Sequence, residues 1–439
     1  GKVQYGNFAR VHGVGCKGRG CRKSPFLCTP FALSMTSPSN SKALSFIFIT
    51  LLIDVIGLGI IIPVLPALIE QITGGDISEA SRTGGWLTFA YAAMQFLFSP
   101  VIGGLSDRYG RRPVLLASLL GFGLDYILMG FAPTIGWLFL GRLIAGITGA
   151  SYTTAGAYIA DVSTPEKRAQ NFGLIGVAFG VGFIIGPVLG GLLGHYSPRL
   201  PFFVAAGLAL LNALYGYFVL PESLTPEHRR PFDWKRANPI GSLRHLGRYP
   251  VVLSLVISFV LLYLSGHATQ STWTFYTIEK FGWNEQWVGY SLGFVGLMVA
   301  IVQGGLIRIV IPKLGQKRSV FVGLTFYTIG FFLFAIATKG WMMFLFVVPF
   351  AMGGFAGPAL QSIITSAVPA NEQGELQGAL TSLISLTSIF GPLMMTNLFS
   401  VFSAPDAPVY FPGAPFMMGA LLSLLSIYFS MRTLTKHGH

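Results

Sequence analysis

Long apolar runs separated by short polar segments occupy the chain from about residue 43 to residue 431. A helix of about 20 apolar residues crosses the hydrocarbon core of a bilayer. Twelve windows are long enough; they lie near 43–69, 84–105, 113–132, 135–160, 170–194, 200–220, 251–276, 287–308, 319–338, 341–365, 373–400 and 413–431. Because lipid cannot pair the backbone groups of an open sheet, each window predicts a helix. The pattern therefore predicts an all-α integral membrane fold with twelve transmembrane helices.

Composition excludes a water-soluble fold. Of the 439 residues, 52% are hydrophobic and 10% are charged. Ordinary soluble domains carry about 25% charged residues, so a soluble chain of this composition would have to bury nearly all its side chains.

The net charge of +13 comes from basic residues on one side of the predicted membrane. If the amino terminus is inside the cell, the segments on that side hold Arg108, Arg111, Arg112, Lys167, Arg168, Arg229, Arg230, Lys235, Arg236, Arg244, Arg248, Arg308, Lys313, Lys317 and Arg318. The opposite side holds only Arg82, Arg199, Lys280 and Lys339. This asymmetry predicts that both termini are cytoplasmic. We expect the basic residues to contact anionic lipid headgroups and not nucleic acid.

Residues 1–34 do not share this pattern. They are basic, hold all three cysteines (Cys16, Cys21 and Cys28) and lack the apolar core of a signal peptide. Met35 begins a segment that reads as a natural start, so the first 34 residues are interpreted as not native. The cysteine spacing matches no zinc pattern, and no metal site is predicted.

Landmarks of the first half recur about 205 residues later. Residues 107–112 align with 313–318, 164–173 with 369–378, and 186–187 with 391–392. Two six-helix bundles related by a parallel repeat explain this register, and such transporters place the substrate site between the halves. The predicted divisions are a basic extension and tail (1–42), a first bundle (43–220), a cytoplasmic linker (221–250) with a short helix near 238–248, a second bundle (251–431) and a tail (432–439).

Three charged residues fall well inside predicted spans, away from their ends: Asp54, Asp125 and Arg142. A charge at the centre of a span costs about 2.5–3.5 kcal/mol on insertion scales, so it is retained for a partner or a task. Burial disfavours the charged form of a carboxyl, which lets Asp54 or Asp125 exchange a proton as the site opens to either side. Arg142 is either a switchable partner of one acid in proton coupling or half of a static ion pair.

Other polar and aromatic residues at membrane depth are candidates for the wall of a substrate cavity. They are Gln95, His267, Gln270, Trp273, Gln303 and Gln361, with Phe275 and Tyr276 close to His267 along the chain. His267 is the only histidine inside a predicted span. It is either a proton-exchanging group or drug contact, or a neutral side chain hydrogen-bonded to a neighbouring helix.

The turn at 103–113 holds an acid and several arginines, so it cannot lie in hydrocarbon. It predicts a cytoplasmic gate that latches the outward-facing state through bonds to the end of the fourth helix. The predicted gate residues are Gly103, Asp107, Arg108, Gly110, Arg111, Arg112, Asp161, Glu166 and Arg168. Lys313 stands where the second half would need an acid, so the latch is expected in the first half only.

Small residues and a proline mark the fifth window at Gly182, Gly186, Pro187, Gly190 and Gly191. They predict a helix with a bare face that packs closely and hinges at the proline. A packing seam without a hinge is the alternative.

These motifs resemble the Major Facilitator Superfamily. The pattern G-x-x-x-D-R-x-G-R-R at 103–112 looks like the loop between its second and third helices, and the glycines of the fifth window look like the antiporter motif of its exporting members. The segments 54–66, 141–150 and 157–161 further resemble the tetracycline/proton antiporters of the drug-exporting branch. The resemblance runs from about residue 43 to 431.

The resemblance implies export of a tetracycline–divalent cation complex in exchange for protons. The counterparts of the family's charged residues in helices 1, 3 and 4 are Asp54, Asp125 and Arg142. Val299 stands where the family's helix 8 histidine falls, and Tyr327 stands where its helix 9 acid falls. Neither side chain titrates near neutral pH, so coupling is expected to rest on the first half, with His267 as a further candidate.

We therefore expect a proton-coupled antiporter that exports amphipathic drugs, tetracycline first, by alternating access in the inner membrane. A monomer is expected, with no cofactor beyond the proton gradient and with Mg²⁺ bound only as part of the substrate. A metabolite or other-drug transporter of the same fold is the alternative, and a non-transporting membrane sensor is a more remote one. The sequence has no nucleotide-binding loop, metal-ligand cluster or catalytic triad, which argues against an enzyme.

Overall fold

A computed structural model describes residues 40–149, 151–163, 168–229, 231, 250–368 and 373–434. Within these residues every regular element is helical, and 11 helices are long and apolar enough to cross a membrane. Two shorter helices, on either side of residue 150, supply the remaining crossing of the predicted twelve. The predicted all-α membrane fold is confirmed.

The helices of the first half follow the apolar windows closely. They are α1 (Asn40–Ile61), α2 (Leu65–Thr73), α3 (Ile77–Tyr109), α4 (Arg111–Gly130), α5 (Ile135–Gly149), α6 (Ser151–Val162), α7 (Arg168–Gly194) and α8 (Leu200–Val219). The first window was predicted to run to residue 69, but α1 ends at Ile61. Pro63 and Pro66 lack amide donors, so the chain turns before α2 begins.

The second half contains two interrupted spans. Its helices are α9 (Pro250–Phe281), α10 (Glu285–Ile301), α11 (Ile307–Leu314), α12 (Gln316–Ile336), α13 (Gly340–Met352), α14 (Ala356–Ser366), α15 (Gln373–Ser403) and α16 (Ala414–Leu434). A π turn at Val302–Leu306 joins α10 to α11, and a 3₁₀ turn at Gly353–Phe355 joins α13 to α14. The linker helix predicted near 238–248 lies outside the described residues.

Each half packs mainly within itself. In the first half α1 packs on α7 and α8, and α4 packs on α5 and α8. In the second half α16 packs on α9 and α12. The halves meet mainly along two helix pairs, α3 with α15 and α7 with α10, and α3 also contacts α9. Relative movement of the halves must therefore open or close these two pairs.

Charge distinguishes the two ends of the helices. We call one the basic end; it carries Arg108, Arg111, Arg112, Lys313, Lys317 and Arg318. We call the other the acidic end; it carries Glu70, Asp76, Glu79, Glu279 and Glu285. Near the acidic end the two bundles are in close contact, because a Cβ on Gly293 of α10 would lie 2.6 Å from Val188 Cγ2 of α7. Nearer the basic end, a Cβ on Gly180 or Gly304 would meet nothing within 4 Å. The halves touch at the acidic end and diverge towards the basic end.

Candidate functional site

A buried ion pair joins α4 to α5. Arg142 Nη2 lies 3.6 Å from Asp125 Oδ2, and the side chain of Asp125 is completely buried. Gly141 permits this approach, because a Cβ there would lie 2.6 Å from Asp125 Oδ1. Arg142 also donates to Met129 Sδ at 2.8 Å, and its guanidinium carbon lies 5.9 Å from the centre of the Tyr91 ring on α3. Side chains of α3 and α4 thus surround the guanidinium group that α5 carries.

Asp54 stands apart from this pair. It lies on α1, is 8% exposed, and forms neither a hydrogen bond nor an ion pair with any described residue. The sequence left open which acid Arg142 would approach, and the structure pairs Arg142 with Asp125. Asp54 is consequently the acid at membrane depth without a basic partner in the described part of the chain.

Removing one partner of the buried pair should destabilise the protein more than removing both. Asp125→Asn leaves the Arg142 charge unpaired, a change that costs about 3–5 kcal/mol in buried pairs. Adding Arg142→Gln removes the second charge, so the loss in the double variant should be well below the sum of the two single losses. Thermal unfolding in detergent micelles measures this cycle. Strictly additive losses would show that the 3.6 Å approach carries no coupling.

Two of the predicted cavity glutamines tie helices together. Gln95 Nε2 donates to the Gly149 carbonyl oxygen at 3.1 Å and to the Tyr91 hydroxyl at 3.3 Å, which joins α3 to α5. Gln361 Nε2 donates to Gln377 Oε1 at 3.2 Å, which joins α14 to α15. Both are half-buried. The hydrogen bonds of these two amides therefore serve mainly to hold helices together.

Gln270 and Gln303 have the properties expected of a cavity wall. Both side chains are exposed at membrane depth and have no hydrogen-bond partner among the described residues. Gln303 lies in the π turn, with Nε2 3.8 Å from the Cβ position of Gly354 in the 3₁₀ turn. A free amide at this depth is stable where it faces water or a ligand. These two glutamines are the cavity candidates that the geometry supports.

The prediction that Trp273 lines a cavity is wrong. Trp273 is 1% exposed and donates from Nε1 to Ser291 Oγ at 2.9 Å, inside the second half. Its neighbours Phe275 and Tyr276 are buried as well. His267 is 6% exposed and packs against Gly391, and its Nδ1 has no hydrogen-bond partner among the described residues. These side chains lie on faces of α9 that pack against other helices of the bundle.

Arg111 is the centre of the predicted gate. Its guanidinium bonds to Asp107, to Asp161 Oδ2 through Nε at 3.2 Å, and to Ser106 Oγ through Nη1 at 2.7 Å. Asp107 lies on α3 and Asp161 on α6, so one side chain joins the ends of three helices. Arg108 instead projects into solvent. Of these bonds, the one from Arg111 to Asp161 was expected. All of them lie within the first half and are present although the halves diverge at this end, so they do not by themselves latch this end closed.

The rest of the gate differs from the prediction. Arg112 was expected to bond at the end of the fourth helix, but its Nη2 donates to the Tyr217 carbonyl oxygen in the last turn of α8 at 2.6 Å. Glu166 and the side chain of Arg168 lie outside the described residues. Glu222, which the sequence analysis missed, accepts from the Arg111 backbone N–H at 2.8 Å. The role of this carboxylate follows only from its contact with the amino terminus of α4. The sequence analysis therefore had no motif by which to identify it.

The glycines of α7 serve two contacts. Gly182, Gly186 and Gly190 face α1, and a Cβ on Gly186 would lie 2.9 Å from backbone atoms of that helix. Gly191 faces the second half, where a Cβ would collide with the carbonyl oxygen of Glu285. One face of α7 is therefore a packing seam within the first half, and a neighbouring face closes against α10.

The second contact between the halves also lies near the acidic end. Ser81 Oγ on α3 donates to the Thr396 carbonyl oxygen on α15 at 3.1 Å. Gly85 packs directly on the Thr396 side chain, and a Cβ on Gly84 would lie 2.8 Å from the Phe275 ring. Both helix pairs that join the halves are thus closed at this end.

The two departures from the family pattern lie beside the interrupted spans. The Tyr327 ring packs on Gly353 in the 3₁₀ turn and stacks on Phe331 with ring centres 5.9 Å apart. Val299 packs against the small cluster that includes Val302 and joins the π turn to α13. Both positions hold packing residues where the family has titrating ones.

The acidic end carries a negative field. Burial, followed by the carboxylates of Asp76, Glu279 and Glu285, raises the pKa of Glu70. The pKa of Asp76 is lowered, chiefly because its carboxylate accepts from the Glu79 backbone N–H at 2.9 Å. Grouped carboxylates raise the local concentration of protons and other cations at this surface.

Comparison with known proteins agrees with this architecture. The family model of the Major Facilitator Superfamily matches residues 47–392, so the chain belongs to that superfamily of membrane proteins. It is 41% identical over 388 residues to the class C tetracycline resistance protein of Escherichia coli, covering 88% of this chain and 96% of that protein. It is 38% identical to the class G tetracycline resistance protein of Vibrio anguillarum, over 85% of this chain and 93% of that protein. Within the superfamily, the chain belongs to the family of the tetracycline resistance proteins.

Solved structures support the same fold. The human organic anion transporter MFSD10 (TETRAN) superposes with a TM-score of 0.66 at 24% identity, over 90% of this chain and 100% of that one. The predicted resemblance and the predicted class, a multi-pass membrane transporter of the Major Facilitator Superfamily, are confirmed.

Proposed function

We propose that this protein exports tetracycline from the cell in exchange for protons. The observation that carries the proposal is its 41% identity to a tetracycline resistance protein over 96% of that protein's length. Two features of the geometry support an exchanger. One is an acid at membrane depth, Asp54, that has no ion-pair partner among the described residues, and the other is a molecule whose described helices are in contact at one end only.

In this proposal the basic end is cytoplasmic, because cytoplasmic loops of membrane proteins are enriched in lysine and arginine. The protein then lies in the inner membrane with both termini in the cytoplasm, and the described state faces inward. Drug enters between the halves from the basic end, where α7 and α10 diverge. Gln270 and Gln303 offer hydrogen bonds to its polar groups, and neither residue has a partner among the described residues that must be displaced.

Asp54 is the proposed proton carrier. When the acidic end opens, Asp54 takes up a proton from the outside as the drug leaves, and it releases the proton when the basic end opens again. Each proton that moves inward supplies about 2.3 kcal/mol for every 100 mV of membrane potential. The Asp125–Arg142 pair holds α4 and α5 beside this acid and keeps its own charges balanced. The exchange therefore needs no cofactor besides the proton gradient.

Magnesium enters the proposal only as cargo. No group of three or more His, Cys, Asp or Glu side chains in the described residues is placed to hold a metal ion. A tetracycline–Mg²⁺ complex would meet Asp54 as the carboxylate without a basic partner at membrane depth. Drug complex and proton would then compete for one acid, which is the arrangement that an antiporter requires.

The test uses everted membrane vesicles that contain the protein, energised to an acid interior. Tetracycline with Mg²⁺ is added outside, and drug uptake and the collapse of the pH gradient are followed separately. We expect uptake together with proton release. Vesicles that accumulate tetracycline without any proton release would contradict the coupling, and vesicles that respond to no drug would contradict export.

A second candidate is export of a different amphipathic drug by the same exchange. Val299 and Tyr327 favour it, because they replace the titrating pair that the family resemblance associates with tetracycline transport. The same vesicles distinguish the two candidates. A pH response to another amphipathic drug, with none to tetracycline, would support the second.

A further inference from the structure

The first residues of the linker are built into the gate. Glu222 follows α8 by three residues, and its Oε1 accepts from the backbone N–H groups of Arg111 at 2.8 Å, Ser223 at 3.0 Å and Leu224 at 3.0 Å. Its Oε2 accepts from the N–H of Arg112 at 3.3 Å. The amino terminus of a helix leaves such N–H groups without partners, and a carboxylate there also meets the positive end of the helix dipole. Glu222 thus caps α4 from a distant part of the chain.

Gly110 has two reasons to be glycine. It precedes α4 with φ of 107°, a backbone conformation that other residues rarely adopt. A Cβ at this position would also collide with the Glu222 carboxylate. The glycine of the 103–112 motif therefore makes room for a linker residue that lies outside the motif.

The capping is reciprocal. While Glu222 caps the amino terminus of α4, Arg112 at that terminus donates to the Tyr217 carbonyl oxygen at the carboxyl terminus of α8. A cation is favoured there by the negative end of the helix dipole. Arg112, the last arginine of the motif, is thus an anchor for α8 and the linker, whereas Arg111 belongs to the gate.

Two further bonds tie the linker to α6. The Tyr158 hydroxyl donates to the Pro221 carbonyl oxygen at 3.0 Å. Ser223 Oγ donates to Asp161 Oδ2 at 3.0 Å, and the same oxygen accepts from Arg111 Nε at 3.2 Å. Asp161 is therefore shared between the linker and the gate.

We propose that Glu222 is a positioning residue of the gate. It fixes the backbone of Arg111 so that the guanidinium bridges Asp107 and Asp161, and it connects this bridge to the first residues of the linker. This proposal rests on the proposed transport function in one respect. One of its two experimental readouts is turnover in transport, and the other is conformational.

Glu222→Gln tests it, because the amide keeps the size of the side chain but loses the negative charge and one acceptor oxygen. Turnover with tetracycline and Mg²⁺ in everted vesicles should fall about tenfold, the effect of losing one charge-assisted hydrogen bond, while KM stays nearly unchanged. Glu227→Gln is the matched control, since Glu227 is an exposed acid in the same segment with no hydrogen bond to the gate.

The second readout is conformational. Gly180→Cys, in a chain whose cysteines at 16, 21 and 28 are replaced by serine, places a thiol where α7 and α10 diverge. A membrane-impermeant maleimide added outside everted vesicles reaches it only while the basic end is open. Glu222→Gln should label more slowly than the parent, because the Arg111 bridge is present in the described state, whose basic end is open, and a mispositioned Arg111 removes that contact from the open state. Ser223→Ala, which removes only the bond to Asp161, should shift both readouts in the same direction by a smaller amount.

Unchanged turnover and unchanged labelling in Glu222→Gln would overturn the proposal. So would a lower yield of folded protein with normal turnover per molecule, because Glu222 would then be merely structural. If the parent fails to transport tetracycline, the proposed function is wrong, yet the labelling rates still decide the role of Glu222.

Discussion

Asp54→Asn is expected to abolish the accumulation of drug against its gradient. Asparagine has nearly the shape of aspartate, so α1 should keep its packing, but the amide cannot bind and release a proton. For one proton exchanged per drug molecule, an interior about one pH unit more acid supports roughly tenfold accumulation in everted vesicles. In the variant this ratio should fall to that of vesicles without the protein, and drug should no longer collapse the pH gradient.

The prediction is made for Asp54 and not for Asp125 because the two acids differ in whether they have a basic partner. Asp125 lies 3.6 Å from Arg142, whereas Asp54 has no basic partner in the described part of the chain. The control is Asp406→Asn, which removes an exposed carboxylate at the acidic end. It should leave transport unchanged, and size-exclusion chromatography should show both variants folded. Undiminished proton-coupled uptake by folded Asp54→Asn would refute the assignment of Asp54 as proton carrier.

The helices were predictable because a bilayer imposes one strong rule, that each crossing be a continuous apolar helix. The same rule says little about local interruptions. The π turn at Val302–Leu306 and the 3₁₀ turn at Gly353–Phe355 each contain a pair of glycines, but glycines are so frequent in the predicted spans that these pairs did not stand out as interruptions. Pro63 and Pro66 did indicate a break in the helix. Their window is apolar throughout, however, and the predicted helix was therefore extended past the end of α1.

Residues of the candidate site were predictable where placing the side chain in lipid has a high free-energy cost. Asp54, Asp125 and Arg142 stand out in the sequence for this reason, although only the structure pairs Arg142 with Asp125. Aromatic residues give no such signal, because lipid tails and a bundle core are equally apolar. Trp273 was therefore assigned to a cavity wall and lies in the core.

Glu222 illustrates a different limit. Its carboxylate lies next to the α4 amino terminus although 111 residues separate it from Arg111 in the chain. A capping residue close in sequence can be recognised by its spacing from the helix, but this one is placed by the packing of α4 on α8. Glu222 can therefore be identified as a capping residue only from the three-dimensional structure.

Gly191→Val is expected to stop transport by holding the acidic end open. A Cβ on Gly191 would collide with the Glu285 carbonyl oxygen of α10, and a backbone atom cannot rotate away. The collision involves the other half, so the first half should still fold. Transport in everted vesicles should be lost, and a thiol at Thr396→Cys, buried at the closed contact in the parent, should become reactive from the acidic end.

Gly180→Val should block the opposite movement. Gly180 lies 11 residues before Gly191, which is about three turns, so both face the second half from the same side of α7. Its added side chain meets nothing in the described state but obstructs closure of the basic end, so Thr396→Cys should stay protected while transport is lost. Gly207→Val on α8, also with open space around it, controls for valine in a helix and should transport normally. Equal thiol reactivity in the Gly191 and Gly180 variants would contradict a mechanism in which the two ends of the α7–α10 contact close alternately.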